Sequence, residues 1–465
     1  MFVNRVEEIA ALDAWSRKSG SAMAVVWGRR RVGKSQLLRH WSKDKRAIMH
    51  VARNSALADE LAEFSRSVQA VVKGTRRDLN ARPFIDWDDL FDFLADASAR
   101  EPLVIIIDEF PELLKSSPGL ESTIRSIWDR IADICKLRLI LCGSAVRAME
   151  ALQTQDAALF NRMTLRLQVH PFNPSEVAPM LPMTSALDRA AAWGVCGGMP
   201  FYLSAWEESQ SFRQNVGRLF CNEHALLLNE GSFVLATEDV AGGKRDRLPE
   251  QVLRAVSGGS TSFSAIGSLI KTQPTRVLAD LEQLRLLQRV QPVTEPQTTK
   301  LSYYRIADNF LSFWLTVIEK HRAAIDQGLG KSVLNVVVQE FDDFMGERWE
   351  EALRKHIVAM VSRGEIAEDV VAVGEYWNRQ VGPQQDPCQL DVIAIAGRSK
   401  KVALIGEAKW AKKYDGARML KGVTTKASLA KLNLVEKPTW VLCTRDEVTN
   451  LPENCLSITA HDIFA

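Results

Sequence analysis

The sequence predicts an α/β protein: a mostly parallel, three-layered sheet domain, then a helical subdomain, a helix–hairpin module and a second, mixed α/β domain. Three observations predict it. Wholly apolar runs alternate with helical spacing from residue 23 to residue 142, this alternation stops after Arg166, and strand patterns return from residue 370 onward. The 465 residues leave room for about three domains at roughly 150 residues each. The expected boundaries are 1–168 for the sheet domain, 169–240 for the helical subdomain, 248–315 for the helix–hairpin module and 330–465 for the last domain.

The apolar run 23–27 is followed by Gly28-Arg29-Arg30-Arg31-Val32-Gly33-Lys34-Ser35 and then by Gln36, Leu37, Leu38 and Trp41, a strand, a glycine-rich turn and an amphipathic helix in succession. Residues 47–51 read as a second strand and 56–71 as a helix, and Trp87, Leu90, Phe91 and Leu94 stand at helical spacing. The run 103–107 is continuously apolar and the run 137–142 is apolar save for Arg138, as strands buried on both faces are. Pro171-Phe172 opens a helical tract, predicted to attach to the sheet domain, and Gly197-Gly198-Met199-Pro200 breaks it. Residues 242–247, Gly-Gly-Lys-Arg-Asp-Arg, read as an exposed linker. Helical stretches 252–257, 263–269 and 275–287, then a hairpin from Arg289-Val290 and residues 303–306, follow the order of a winged helix. Helical spacing resumes at Phe310, Phe313 and Trp314 and over 334–359, before strands at 370–377, 389–396, 402–408 and 439–443.

Composition narrows the function. Hydrophobic residues make up 46% and charged residues 25%, which excludes a low-complexity or disordered chain. Lys and Arg total 59 against 57 Asp and Glu, a net +2, so a nucleic-acid surface has to be local. Seven widely spaced cysteines, an odd number without a Cys-x-x-Cys pair, argue against a disulfide framework or zinc knuckle and fit a reducing, cytoplasmic setting. Arg5, Glu7 and Glu8 leave no signal peptide, and no stretch of 18 apolar residues suggests a membrane span.

The segment 28–35 fits the phosphate-loop pattern Gly-x-x-x-x-Gly-Lys-Ser between a predicted strand and helix. Its backbone N–H groups, from Arg29, Arg30, Arg31, Val32 and Gly33 through Ser35, together with the helix start at Gln36, would cradle the phosphates of ATP. Lys34 would reach the β- and γ-oxygens, and Ser35 would ligate Mg²⁺. Asp108 would hold the same ion and Glu109 would polarise the attacking water. Ser144 is placed for the γ-phosphate or the adjacent water; Arg162 is either a γ-phosphate sensor or an arginine finger acting in trans.

In the last domain, Glu407 and Lys409 stand two apart on a predicted strand and share a face, with Asp391 on a neighbouring strand and Glu350 on the preceding helix. Such carboxylates can bind Mg²⁺ and orient water at a phosphodiester while the lysine stabilises the added charge. Lys400, Lys401, Lys412, Lys413 and Trp410 would supply a local basic surface.

Phe2-Val3-Asn4-Arg5, the 28–35 loop, Ile107-Asp108-Glu109-Phe110, Leu141-Cys142-Gly143-Ser144 and Gly197-Gly198-Met199-Pro200-Phe201-Tyr202-Leu203 together resemble the archaeal-type ATPase family, a branch of the AAA+/STAND group of P-loop NTPases. The resemblance places Arg5 near the adenine end of the site and implies a winged helix. The last domain resembles the PD-(D/E)xK nuclease superfamily, with restriction-endonuclease-like fold, Asp391, Glu407 and Lys409 in the metal and lysine positions and Glu350 as the helical acid; Leu390 stands where the family pattern has Pro. The resemblance implies an ATP- and Mg²⁺-dependent ATPase that repositions a winged helix and a nuclease-like domain on DNA. Two alternatives stay open: a signalling or scaffold NTPase whose inactive last domain contacts a protein partner, and a DNA-binding regulator without cleavage. Oligomeric state is left undetermined.

Overall fold

The computed structural model describes residues 2–74, 76–237, 247–366, 369–378 and 388–465. Most of the expected linker 242–247 lies outside the described residues. The chain divides into two compact units, residues 1–171 and 172–465.

In the first unit, β1 (Ala22–Trp27), β2 (Ala47–Val51), β3 (Leu103–Asp108), β4 (Leu137–Gly143) and β5 (Met163–Gln168) form one all-parallel sheet in the order β2-β3-β4-β1-β5. β1, β3 and β4 are buried along their whole length, which is why their sequences carry no polar alternation. Helices Lys34–Ser42, Leu57–Val71, Trp87–Ser98 and Leu120–Ile131 turn apolar faces inward through Leu37, Leu38, Phe64, Phe91, Ile124 and Ile127. β5 was not expected. It is an edge strand, Met-Thr-Leu-Arg-Leu-Gln, whose side chains alternate between half-buried and exposed over much of its length, so it lacks the continuous apolar signature of the central strands.

The strand order fixes the site. β1 lies beside β4 and β4 beside β3, so the loop after β1 and the ends of β3 and β4 meet at one carboxyl edge, where open parallel sheets bind ligands.

In the second unit, the tract after Phe172 begins with two short 3₁₀ turns, Pro174–Glu176 and Ala178–Met180, instead of a helix, because Pro174, Pro179 and Pro182 interrupt it. Helices Ala186–Cys196, Pro200–Ser204, Phe212–Phe220 and Glu230–Thr237 follow. They were expected on the first sheet; they belong to the second unit, where Trp193 meets Phe464 edge-on at 5.9 Å and Phe464 stacks on Trp349 at 6.4 Å. The turn at 197–200 requires its glycines: Gly197 takes a left-handed φ of 61°, and a Cβ at Gly198 would stand 1.9 Å from the Phe172 carbonyl oxygen.

Helices Leu248–Ser257, Phe263–Ile270 and Thr275–Gln283 precede an antiparallel hairpin, β6 (Leu287–Val290) and β7 (Tyr303–Ile306). The third helix stops four residues before the expected 287, where the strand begins. The long helix Gly330–Ser362 leads into β8 (Val370–Trp377), β9 (Gln389–Ala396) and β10 (Lys401–Lys409). β11 (Lys413–Asp415), helix Gly416–Leu429, β12 (Leu434–Thr444), β13 (Glu447–Thr449), β14 (Cys455–Ile458) and helix Ala460–Phe464 complete the chain. The main sheet runs β14-β12-β10-β9-β8, antiparallel from β8 to β10 and parallel from β10 to β14; β11 pairs with β13. Among the described residues, no helix is long and apolar enough to cross a membrane.

Candidate active site

The loop after β1 needs two glycines for different reasons. A Cβ at Gly28 would lie 2.3 Å from the Val169 carbonyl oxygen, in a segment pinned because Val169 N donates to Trp27 O at 2.7 Å. Gly33, at φ 95°, caps the helix Lys34–Ser42 in the left-handed region, which a side chain would strain. The helix N-terminus therefore opens on the loop with its first-turn N–H groups and positive dipole end. Lys34 is buried and its ammonium donates to Gly28 O at 2.8 Å and Arg29 O at 3.0 Å, drawing the loop closed around itself. Arg29 is buried in the loop, whereas Arg30 and Gln36 are exposed; Val32 is buried and Arg31 takes a left-handed φ of 67°.

Ser35 Oγ donates to Asp108 Oδ2 at 2.5 Å. This hydroxyl and carboxylate are the hard oxygen pair that Mg²⁺ accepts from a protein while it keeps waters and takes phosphate oxygens, so the donor set fits the ion. When bound, the ion would neutralise charge between β- and γ-phosphates. Glu109 stands beside it at φ 54°, a left-handed backbone that is uncommon for a glutamate. Its carboxylate accepts from Ser144 Oγ at 2.9 and 3.0 Å and from Ser144 N at 3.3 Å. Lys34, Ser35, Asp108, Glu109 and Ser144 are thus positioned by the adjacent carboxyl ends of β1, β3 and β4.

Two expected members stand differently. Arg5 is buried and turned onto the loop's backbone: it donates to Val32 O at 2.8 Å, His170 O at 2.7 Å and Glu8 at 2.8 Å. It buttresses the loop, so its guanidinium is committed there. Arg162 forms a bidentate pair with Asp129 at 3.0 and 2.7 Å, and each raises the other's preference for its charged form. A free sensor or finger is not what the structure presents; the partner acid, 33 residues upstream in the chain, gave no local signal.

In the second unit, Asp391 Oδ2 accepts from Ala408 N at 2.8 Å, which sets Asp391 against the Glu407–Lys409 strand. Lys409 Nζ lies 2.9 Å from Glu407 Oε1, as two residues on one strand face should. Burial and the facing Asp391 push the Glu350 carboxyl up to about 7; burial and the facing Glu407 push Asp391 up to about 6. Burial opposes the charge on Lys409, but Glu407 outweighs it and raises the lysine. Sequence reasoning missed two cations. Arg354, one turn beyond Glu350, reaches Asp391 O at 2.8 Å and lies 3.7 Å from Glu350, a spacing the helix period contained. Lys426 donates to both Glu407 oxygens, at 2.7 and 2.8 Å, from a helix with no motif to mark it.

The expected metal set of Glu350, Asp391 and Glu407 is not assembled: among the described residues no group of three His, Cys, Asp or Glu is placed to hold a metal ion. The physical reason is that Glu407 is already neutralised by two ammonium groups, so this arrangement does not fit a bound ion. Trp410 also departs from the expected basic surface. It packs edge-on to Trp349 at 5.2 Å under Arg445 and donates to Asp342 at 2.8 Å. Lys400, Lys401, Lys412 and Lys413 are exposed, and Lys413 pairs with Glu447 at 2.6 Å.

The comparison that bears on this geometry covers the loop and both acids. Residues 2–205 match the model of an ATPase domain predominantly from Archaea. The matched segment includes the turn at 197–203 in the second unit. Residues 314–420 match a model of archaeal and bacterial proteins of unknown function. An uncharacterized protein of Methanocaldococcus jannaschii is 24% identical over 447 residues, 94% of each chain, and a second from the same organism is 42% identical over 57 residues, 12% of this chain and 55% of that one. The Walker-type ATPase of Pyrococcus abyssi, 18% identical, covers 68% of this chain and 96% of its own with a TM-score of 0.53, and so shares the fold.

Proposed function

We propose that the protein binds and hydrolyses ATP, with Mg²⁺, at the carboxyl edge of the first sheet, and that nucleotide state drives action on DNA through the second unit. The single observation that carries the ATPase reading is the joint placement of Lys34, the Ser35–Asp108 pair and the Glu109–Ser144 pair in a segment similar to an ATPase family. Lys34 and the loop N–H groups bind the phosphates, Ser35 and Asp108 supply metal oxygens, and Glu109 accepts the proton of the attacking water. Lys34→Ala is expected to remain folded and lose ATP binding and turnover; calorimetry showing undiminished affinity would overturn the role.

The DNA part rests on the order of three helices and an antiparallel hairpin in residues 248–306, which supports a winged helix, with Arg276 exposed on its third helix. The three antiparallel strands continued by parallel ones, with Asp391, Glu407 and Lys409 side by side, support a nuclease-like last domain. One observation favours a second reading, without cleavage: both Glu407 oxygens are held by Lys426. Incubation of single-stranded, duplex and branched DNA with Mg²⁺ and ATP separates the two. A product that Lys409→Ala eliminates supports the nuclease, and no such product supports the regulator or scaffold.

A further inference from the structure

We propose that the cleft between the hairpin loop and the end of β8 is a binding site for a guanine base. The site stands on its lining; delivery of the base by a DNA strand rests on the DNA reading above.

The cleft holds about 420 Å³, within the range of small-molecule sites, and lies where the helix–hairpin module meets the last domain inside the second unit. One wall is the connection between β6 and β7, with Thr294, Glu295 and Thr299; the other is Trp377 and Asn378 at the end of β8. The two walls are fixed to each other. Val293 N donates to Glu375 O at 3.0 Å, and Tyr303 packs against the Trp377 indole at 5.2 Å while its hydroxyl donates to the buried Glu375 carboxylate at 2.7 Å. Arg305 donates to the other Glu375 oxygen at 3.1 Å, so the seam is rigid before any ligand arrives.

The lining selects the ligand. Among the described residues that line the cleft there is one carboxylate and no lysine or arginine, which disfavours phosphates and other anions. The half-buried indole of Trp377 offers a flat face on which a planar ring stacks. Glu295 Oε2 accepts from Thr299 Oγ1 at 3.3 Å, and the carboxylate keeps lone pairs for further N–H donors. Asn378 has its Oδ1 engaged by Cys388 N at 3.1 Å, so its NH₂ is the end it offers, as a donor. Guanine meets these demands: N1–H and the N2 amino group stand side by side on its Watson–Crick edge, with the O6 acceptor next to them. Adenine and cytosine set a ring acceptor beside the amino group, where it would face the carboxylate, and thymine flanks its one N–H with two carbonyls.

The test uses the full chain and two probes: guanosine, read by calorimetry, and fluorescein-labelled oligo-dT carrying one central dG, read by anisotropy against oligo-dT alone. Guanosine is expected to bind about tenfold or more tightly than inosine, which lacks the amino group offered to the carboxylate. Glu295→Gln, a change on an exposed side chain, should erase that preference. Trp377→Ala should weaken guanosine by about tenfold, the scale of one lost base–aromatic stack, and Trp377→Phe should stay near the parent. If the alanine variant does not fold, Glu295→Gln decides alone. Guanosine bound no better than inosine, bound equally by Glu295→Gln, or not bound at all would overturn the proposal. A gain from the dG that Glu295→Gln abolishes makes the strand the source of the base; guanosine binding without that gain makes it the free nucleoside. Oligo-dT binding without any guanosine binding would overturn the cleft and leave the DNA reading standing, whereas guanosine binding by a chain that takes up neither strand nor duplex would do the reverse.

Discussion

Glu109→Gln separates nucleotide binding from hydrolysis, and the structure sets the size of each effect. The glutamine keeps the length of the side chain and one acceptor oxygen, so Ser144 Oγ, now at 2.9 and 3.0 Å from the carboxylate oxygens, retains a partner. With the amide oxygen in the Oε2 position the Ser144 N contact at 3.3 Å is kept, and only the second Oγ contact, to Oε1, changes, the NH₂ there donating to the hydroxyl oxygen instead of accepting from it. A net hydrogen bond is worth about 1 kcal/mol, so the fold and the neighbouring Ser35–Asp108 pair should survive nearly unchanged. The chemical cost is larger. An amide cannot take a proton, and loss of a positioned general base removes about 10²–10⁴ in rate, or about 2.7–5.4 kcal/mol of transition-state stabilisation. The assay pairs ATP calorimetry with steady-state phosphate release. The expected result is affinity within about twofold of the parent and turnover lower by about a hundredfold or more. Phosphate release unchanged at matched ATP occupancy would refute the assignment of Glu109 as the base.

Gly28→Ala should destabilise the first unit by about 2 kcal/mol or more, because the new methyl meets the Val169 carbonyl at 2.3 Å and neither strand can yield; chemical denaturation measures it. His50 is buried against Glu60 at 3.0 Å, facing Glu63 and Arg53, and burial lowers its pKa below the ordinary 6.5. The unfolded chain therefore takes up the proton first, so this contribution to stability is complete above pH 6.5 and declines as pH falls below it. His50→Gln, which keeps a donor for Glu60, should flatten the loss of urea stability as pH falls below about 6.5; an unchanged slope would remove His50 as its source. If the helix Thr275–Gln283 lies on DNA, duplex affinity should fall steeply with salt and Arg276→Ala should reduce the logarithmic slope by about one. No association at low salt, measured by fluorescence anisotropy with and without ATP, would favour a protein partner.

The central strands were legible because burial on both faces demands near-continuous apolar runs, and their shortness and flanking turns separate them from buried helix segments. β5 was not, because an edge strand with half its surface exposed keeps Thr164, Arg166 and Gln168 among its apolar residues and resembles a loop. The phosphate loop was readable as a local motif since its chemistry is carried by contiguous backbone. Pairing of Glu109 with Ser144 was readable only through topology: it follows from β3 lying beside β4. Arginine assignments were the least secure. A guanidinium reaches several ångströms from its backbone, and Asp129 for Arg162 or the Val32 carbonyl for Arg5 is a choice made by the fold.

The two acidic sites differ in what must leave when a cation arrives, and this difference bears on how each is controlled. At Asp108 the present partner is a neutral hydroxyl. Ser35 need only rotate its proton away for both oxygens to become ligands, and no charge is separated. At Glu407 the partners are two ammonium groups, and a divalent ion must displace charge equal to its own before it gains a ligand. The first site should therefore fill whenever nucleotide and Mg²⁺ are present together. The second should take up no divalent ion under the same conditions, because Glu407 already has its counter-charge within the protein.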